Sequence, residues 1–164
     1  MNQNEKTRII ILRGVPGSGK TTLAKKLEKE LNWTRITADE HGLKAWKDPL
    51  KEAIERKDRF IILDRCHSSY NQRNNALKEI KPYKNQIITF LVTLPKLPFL
   101  ELKERIIQDI GHRYAFDQRI MALKSHHKQM TYDKINKSIE NWNYYINLET
   151  TSLSEFLEKM LRII

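Results

Sequence analysis

The stretch Gly14-Val15-Pro16-Gly17-Ser18-Gly19-Lys20-Thr21 fits the pattern G-x-x-x-x-G-K-[ST], and Thr22 follows it directly. Each residue type has a use in holding phosphate. Glycines permit backbone angles that a side chain forbids and let main-chain amides come close to an anion. A helix beginning at the end of the turn adds the partial positive charge of its N-terminus. Lys20 is placed to reach the β- and γ-phosphates of a nucleoside triphosphate, and Thr21 offers a hydroxyl to Mg²⁺. The pattern predicts Gly14 through Thr22 as nucleotide-binding residues, Lys20 as a catalytic cation, ATP or GTP as phosphate donor and Mg²⁺ as cofactor. The competing reading, an ordinary glycine-rich turn with a solvated lysine, fits less well because an apolar strand precedes the loop and a helix follows it.

Two carboxylates end strand-like runs, and in a parallel sheet ligands bind outside the carboxyl ends of the strands. Asp39, followed by Glu40 and His41, closes the second run. It can accept the proton of an attacking hydroxyl, as a transferase requires, or cap the helix after Gly42. Asp64 closes the run Phe60 to Leu63, where an acid orients the Mg²⁺ shell with Thr21 or arranges an acceptor pocket; a plain strand-ending Asp is the alternative. Arg65, His67 and Arg73 cluster behind it as substrate-binding candidates, each balanced against a solvated surface charge. Arg105, His112, Arg113 and Arg119 bracket Gly111, where a lid over about residues 105–120 can close arginines on the triphosphate. Among these, Arg113 is taken as catalytic. His126 and His127 are neighbours on a helix, face different directions and make a poor metal pair. Trp33, Trp46 and Trp142 read as packing anchors, with Trp46 the one candidate for stacking on a base.

The elements that must position these groups alternate between β-branched runs and longer helical stretches, the order expected of parallel strands joined by crossovers. Strands are predicted at Arg8–Leu12, Trp33–Ala38, Arg59–Asp64, Gln86–Leu94 and Tyr144–Leu148. Helices are predicted at Thr21–Leu31, Leu43–Arg56 with a start or break at Pro49, Tyr70–Ile80, Phe99–Ile110, Asp117–Met130 and Asp133–Glu140. Ser152 and Glu155 form a capping box before a last helix whose face is Leu153, Phe156, Leu157, Met160, Leu161 and Ile164. The fold class is α/β, a P-loop NTPase fold with a central parallel sheet of four or five strands, flanking helices and a short helical lid.

The chain has 164 residues, 40% of them hydrophobic and 30% charged. That suits one folded domain over residues 1–164 and excludes disordered and collagen-like classes. Lys and Arg number 30 against 20 Asp and Glu, and the net charge of +10 favours a polyanionic partner over a neutral one without requiring it. A single cysteine, Cys66, cannot form an internal disulfide. No apolar run is long enough for a signal peptide or a membrane span, so an intracellular setting, cytoplasmic or nuclear, with no membrane partner is expected.

The strings RGVPGSGKTT (Arg13–Thr22), TADE (Thr37–Glu40), LDRCHSSYNQR (Leu63–Arg73) and GHRYAFDQR (Gly111–Arg119) resemble the P-loop polynucleotide 5′-hydroxyl kinase superfamily, most nearly the kinase module of fungal-type tRNA ligases. The resemblance spans about residues 8–120, and its first string is the specific one. It implies transfer of the γ-phosphate to the 5′-hydroxyl end of RNA (or DNA) in RNA repair or splicing, with Asp39 as general base and Asp64 organising the acceptor site. It also implies a covalent or functional link to an RNA ligase. Two departures are visible: Cys66 stands where the family pattern Asp-Arg-Asn has Asn, and the lid reads Ile110-Gly111-His112-Arg113 in place of an Arg-Gly pair before Asn-His. A small-molecule P-loop kinase and a non-catalytic nucleotide-binding RNA adaptor are the rival readings.

Overall fold

The computed structural model describes residues 5–37, 45–109 and 114–162. Its sheet has five strands, β1 (Thr7–Arg13), β2 (Thr34–Thr37), β3 (Phe60–Asp64), β4 (Ile87–Thr93) and β5 (Tyr144–Asn147), in the order β2-β3-β1-β4-β5. Every pairing is parallel. The helices are α1 (Lys20–Leu31), α2 (Lys47–Glu55), α3 (Tyr70–Ile80), α4 (Phe99–Gln108), α5 (Phe116–Tyr132) and α6 (Leu153–Arg162).

β1 lies between β3 and β4, and its seven residues are all buried. A strand covered on both faces has no need of alternating polarity, which is why Ile9 through Leu12 are uniformly apolar. Successive side chains still go to opposite faces. Ile9 and Ile11 join Leu63 and Leu91 under α2 and α3, through Leu50, Ala53, Ile54, Ala76 and Ile80. Ile10 and Leu12 join Ile62, Phe90 and Val92 under α1 and α6, through Ala24, Leu27, Phe156 and Met160.

Local chemistry fixes the element ends. Pro49 sits in the first turn of α2, where its missing N–H costs no helical bond. Ser69 caps α3: its hydroxyl accepts from the Gln72 amide while the Gln72 side chain accepts from the Ser69 amide. The box expected before α6 forms, with the Ser152 amide on Glu155 at 2.8 Å and the Glu155 amide on the Ser152 hydroxyl at 3.2 Å. Within α6, Phe156 and Met160 are fully buried, but Leu161 is exposed and not on the docked face. Ala38, Leu43, Ile110 and Ile164 lie outside the described residues.

The helix expected over Asp133–Glu140 does not form; these residues make an irregular strap. Arg73, fully buried, anchors the strap from within. Its Nε and Nη2 donate to the two carboxylate oxygens of Glu140 at 2.6 and 2.8 Å, and Nη2 also reaches the carbonyls of Asp133 and Lys134 at 3.3 and 3.5 Å. The Asn136 amide and the Trp142 indole N–H donate to the same carboxylate. Main-chain groups that a helix would use are therefore spent on side chains. Burial pushes the Glu140 carboxyl up, but the hydrogen bonds from Arg73, the Asn136 amide and Trp142, together with the Arg73 charge, outweigh it and leave the group below the usual carboxylate range.

Both side chains of this pair are 0% exposed. Removing one partner strands a charge in the interior, so Glu140→Ala is expected to cost roughly 3–5 kcal/mol in urea unfolding. Replacing both, as Arg73→Met with Glu140→Leu, is expected to cost less than either single change.

Candidate active site

The phosphate loop rises from the carboxyl end of β1 and is held from both sides. The Gly14 amide donates to the Cys66 carbonyl at 2.9 Å, which ties the loop to the residues after β3. Val15, 1% exposed, packs with Leu102, Ile106, Leu123 and Met130, which ties it to α4 and α5. Gly17 and Gly19 have φ of 80° and 92°, a region that disfavours any other residue. A Cβ on Gly17 would also stand 3.1 Å from the Leu102 carbonyl. The Lys20 ammonium donates to the Val15 carbonyl at 2.7 Å and the Ser18 hydroxyl at 3.4 Å, so it curls back on the loop.

Thr21 and Asp64 meet as the sequence suggests, the hydroxyl donating to Oδ1 at 3.2 Å. Asp64 is 5% exposed at the end of β3. Its Oδ2 accepts from Nε and Nη2 of Arg35 at 3.0 and 2.9 Å, from a side chain itself 5% exposed. No sequence motif marks Arg35. Its signal is weak but present: an arginine two residues before Thr37 in a short strand, hence on the same face, and Thr37 pairs with Asp64 across the sheet. A hydroxyl and a carboxylate are hard oxygen donors beside a phosphate cradle, a donor set that suits Mg²⁺, which takes its remaining ligands from phosphates and water.

The other candidates divide. Arg65 lies half-buried with its guanidinium 4.8 Å from the centroid of the Trp46 ring. Trp46 is 3% exposed within the core under α2, so it packs and offers no open face for a base. His67 and Arg73 do not line an open pocket. His67 is 2% exposed, with φ of 41°, and its Nδ1–H donates to the Leu12 carbonyl at 3.1 Å. Burial, with Arg65 nearby, pulls its pKa down to about 3, so it is neutral at physiological pH. Arg73 holds the strap. A polar residue behind a strand end also serves to satisfy the backbone there, and sequence does not separate that use from substrate binding.

Of the lid candidates, Arg105 reaches the loop, donating to the Gly17 carbonyl at 3.4 Å and pairing with Glu101 at 2.8 Å. Arg119 is bound to Asp109 at 2.6 Å, joining the facing ends of α4 and α5. Asp39, His112 and Arg113 lie outside the described residues.

His126 and His127 do diverge. His127 packs edge-on to Phe99, whereas His126 turns toward the loop, with Nδ1 against the Ser68 hydroxyl and Gln129. It also bonds the Cys66 thiol. Burial pushes that thiol up, but the Lys20 charge and the His126 hydrogen bond overcome it, and Cys66 lies below its ordinary value. Alkylation of Cys66 is therefore expected to rise with pH about a midpoint below that of an ordinary thiol, and His126→Ala should move that midpoint upward.

A glycine-rich loop between the central strand and a helix, in a parallel sheet of order β2-β3-β1-β4-β5, defines a P-loop kinase-like fold. The sequence matches the AAA domain family over residues 9–91, half of the chain, and the chain belongs to that family. No curated protein matches it. Among solved structures it is similar to a fungal RNA kinase, with 22% identity and a TM-score of 0.67 over 96% of this chain and 42% of that one. It is also similar to Kti12 of Chaetomium thermophilum in complex with ADP-AlF3 (18%, 0.63, over 94% and 96%) and to a gluconokinase from Sinorhizobium meliloti 1021 (11%, 0.53, over 98% and 91%). The chain thus spans under half the length of the fungal RNA kinase. At these identities the likeness is one of fold. No helix among the described residues is long and apolar enough to cross a membrane.

Proposed function

We propose that the chain is an NTP-dependent polynucleotide kinase that moves the γ-phosphate of ATP or GTP onto the 5′-hydroxyl end of RNA (or DNA). The observation that carries the phosphotransferase part is Lys20 and the Thr21–Asp64 pair converging beneath one loop. The polynucleotide part is supported by the four motif strings, by the net charge of +10 and by the fold likeness to a fungal RNA kinase.

In this reading the loop amides and Lys20 bind and orient the triphosphate, Lys20 exchanging the Val15 carbonyl for phosphate oxygens. Asp39 accepts the proton of the attacking hydroxyl, and Arg113, with Arg105 beside the loop, supplies positive charge where it develops. Thr21 and Asp64 would hold Mg²⁺, which when bound neutralises charge on the β- and γ-oxygens. Arg35 fixes the Asp64 carboxylate in place. Partners that orient such a group typically contribute about 10–100-fold, so Arg35→Gln is expected to lower metal-dependent transfer by that factor, read from a Mg²⁺ titration of rate.

The test is a γ-labelled ATP and GTP panel against 5′-hydroxyl RNA, 5′-hydroxyl DNA, nucleosides and sugars. Label is expected in the polymers. Label in nucleosides or sugars alone would make this a small-molecule kinase, and RNA binding without any transfer would make it an adaptor.

A further inference from the structure

Arg13 is the residue directly before the phosphate loop, yet its side chain goes elsewhere. As the last residue of β1 it shares the face of Ile9 and Ile11, and its Nη2 donates to the Asp133 carbonyl of the strap at 3.2 Å. Arg13 is only 6% exposed, and its Nε has no hydrogen-bond partner among the described residues. The carboxylates nearby are already engaged: Glu140 accepts from Arg73 through both oxygens, and Asp133 accepts from the Tyr70 amide. Burial, and then repulsion from Arg73, pull the Arg13 pKa down to about 10, against the pull of Glu140 and Asp133. It remains a cation at neutral pH, and an interior charge without its own counter-ion is costly.

Arg13 lines a cleft of about 250 Å³ at the carboxyl ends of β4 and β5, together with Thr93, Ile135, Lys137, Tyr145 and Asn147. Lys137 supplies a second cation, its ammonium 5.1 Å from the centroid of the Tyr145 ring. The cleft shares Ile135 and Lys137 with an adjoining open groove of about 590 Å³ that also carries Lys134. Two cations in a cleft continuous with a groove that adds Lys134 beside the acid Asp133, at the carboxyl end of the sheet where ligands bind, suit an anion that belongs to a longer chain.

We propose that this cleft is a phosphate subsite, separate from the phosphate loop, that holds a phosphodiester of the acceptor strand through Arg13 and Lys137, with the strand continuing along the groove beside the strap. The assignment of the anion to a strand rests on the polynucleotide reading given above. Thr93 and Asn147 give the cleft polar walls, and Tyr145 and Ile135 its apolar one.

The experiment is fluorescence anisotropy of a short single-stranded 5′-hydroxyl RNA binding to the full chain over a range of salt concentrations. Lys137 is exposed, so Lys137→Gln tests the site without disturbing the core, and Arg13→Gln is measured beside it. Loss of one phosphate contact on a single strand lowers the slope of log affinity against log salt by about 0.7, and Lys137→Gln should do this with about 3–10-fold weaker binding at low salt. Wild-type affinity and slope in Lys137→Gln would overturn the subsite. So would displacement of the RNA by millimolar inorganic phosphate, which would assign the cleft to free anions. If the reduced slope is seen while the wild type transfers no label to RNA, the subsite stands and the kinase reading falls. If label is transferred and the slope is unchanged, the subsite alone falls.

Discussion

Replacing Lys20 with methionine is expected to lower phosphate transfer by on the order of 10³-fold, because the variant removes the one loop cation that follows charge onto the leaving and transferred phosphates. Lys20 is 7% exposed, and its ammonium rests on the Val15 carbonyl and the Ser18 hydroxyl. Methionine keeps the apolar stem and loses only these bonds and the charge, so the thermal midpoint should stay near that of the wild type. Lys20→Arg is expected to fail as well. A planar fork does not fit where a compact ammonium is curled beneath a tight loop. A melt that collapses in both variants would mean that Lys20 is holding the fold and would remove this argument for catalysis.

The second large effect is expected at Asp39. General-base catalysis contributes about 10²–10⁴-fold, so Asp39→Ala should lower kcat within that range while RNA affinity is kept. Asp39→Asn should behave like Asp39→Ala, since the amide preserves size and hydrogen bonding but accepts no proton at neutral pH. The two variants also separate the competing role of helix cap. A cap is retained by asparagine, so activity that survives in Asp39→Asn and is lost in Asp39→Ala would make the residue structural.

Much of this architecture is legible in the residues themselves. The uniform apolarity of Ile9 to Leu12 marks a central strand, and the loop motif that follows fixes where a ligand must lie. The Thr21–Asp64 contact is implied by the same two facts, since Thr21 opens the helix that follows β1 across the loop and Asp64 ends the adjacent strand β3. Sequence is less informative where one polar side chain answers to distant partners. Arg73 and Glu140 are 67 residues apart, and nothing local to Glu140 distinguishes a helix residue from an anchor drawn inward. Arg35 and Arg13 are hidden for a related reason. Each sits in a strand whose neighbours predict only pairing, and its role is set by a carboxylate or a carbonyl supplied by another element. Nothing local to His126 marks it beyond its failure as a metal pair with His127, and its turn toward Cys66 depends on how α5 packs against the loop.

The Arg35 contact also shows how the acid at the end of β3 is kept in a buried position. Two donors of one guanidinium hold one carboxylate oxygen, and the other oxygen is left facing Thr21. A carboxylate held in this way presents a fixed oxygen to whatever the loop binds, and that is the property a metal-assisted phosphate transfer needs.

The central claim is tested most directly by offering the protein γ-labelled ATP and GTP with two RNA strands of one sequence, one bearing a 5′-hydroxyl and the other a 5′-phosphate. Label is expected on the hydroxyl strand only, at its terminal nucleotide, and is expected to be lost in Asp39→Ala. Equal labelling of both strands, or none on either while a nucleoside or sugar is phosphorylated, would contradict it.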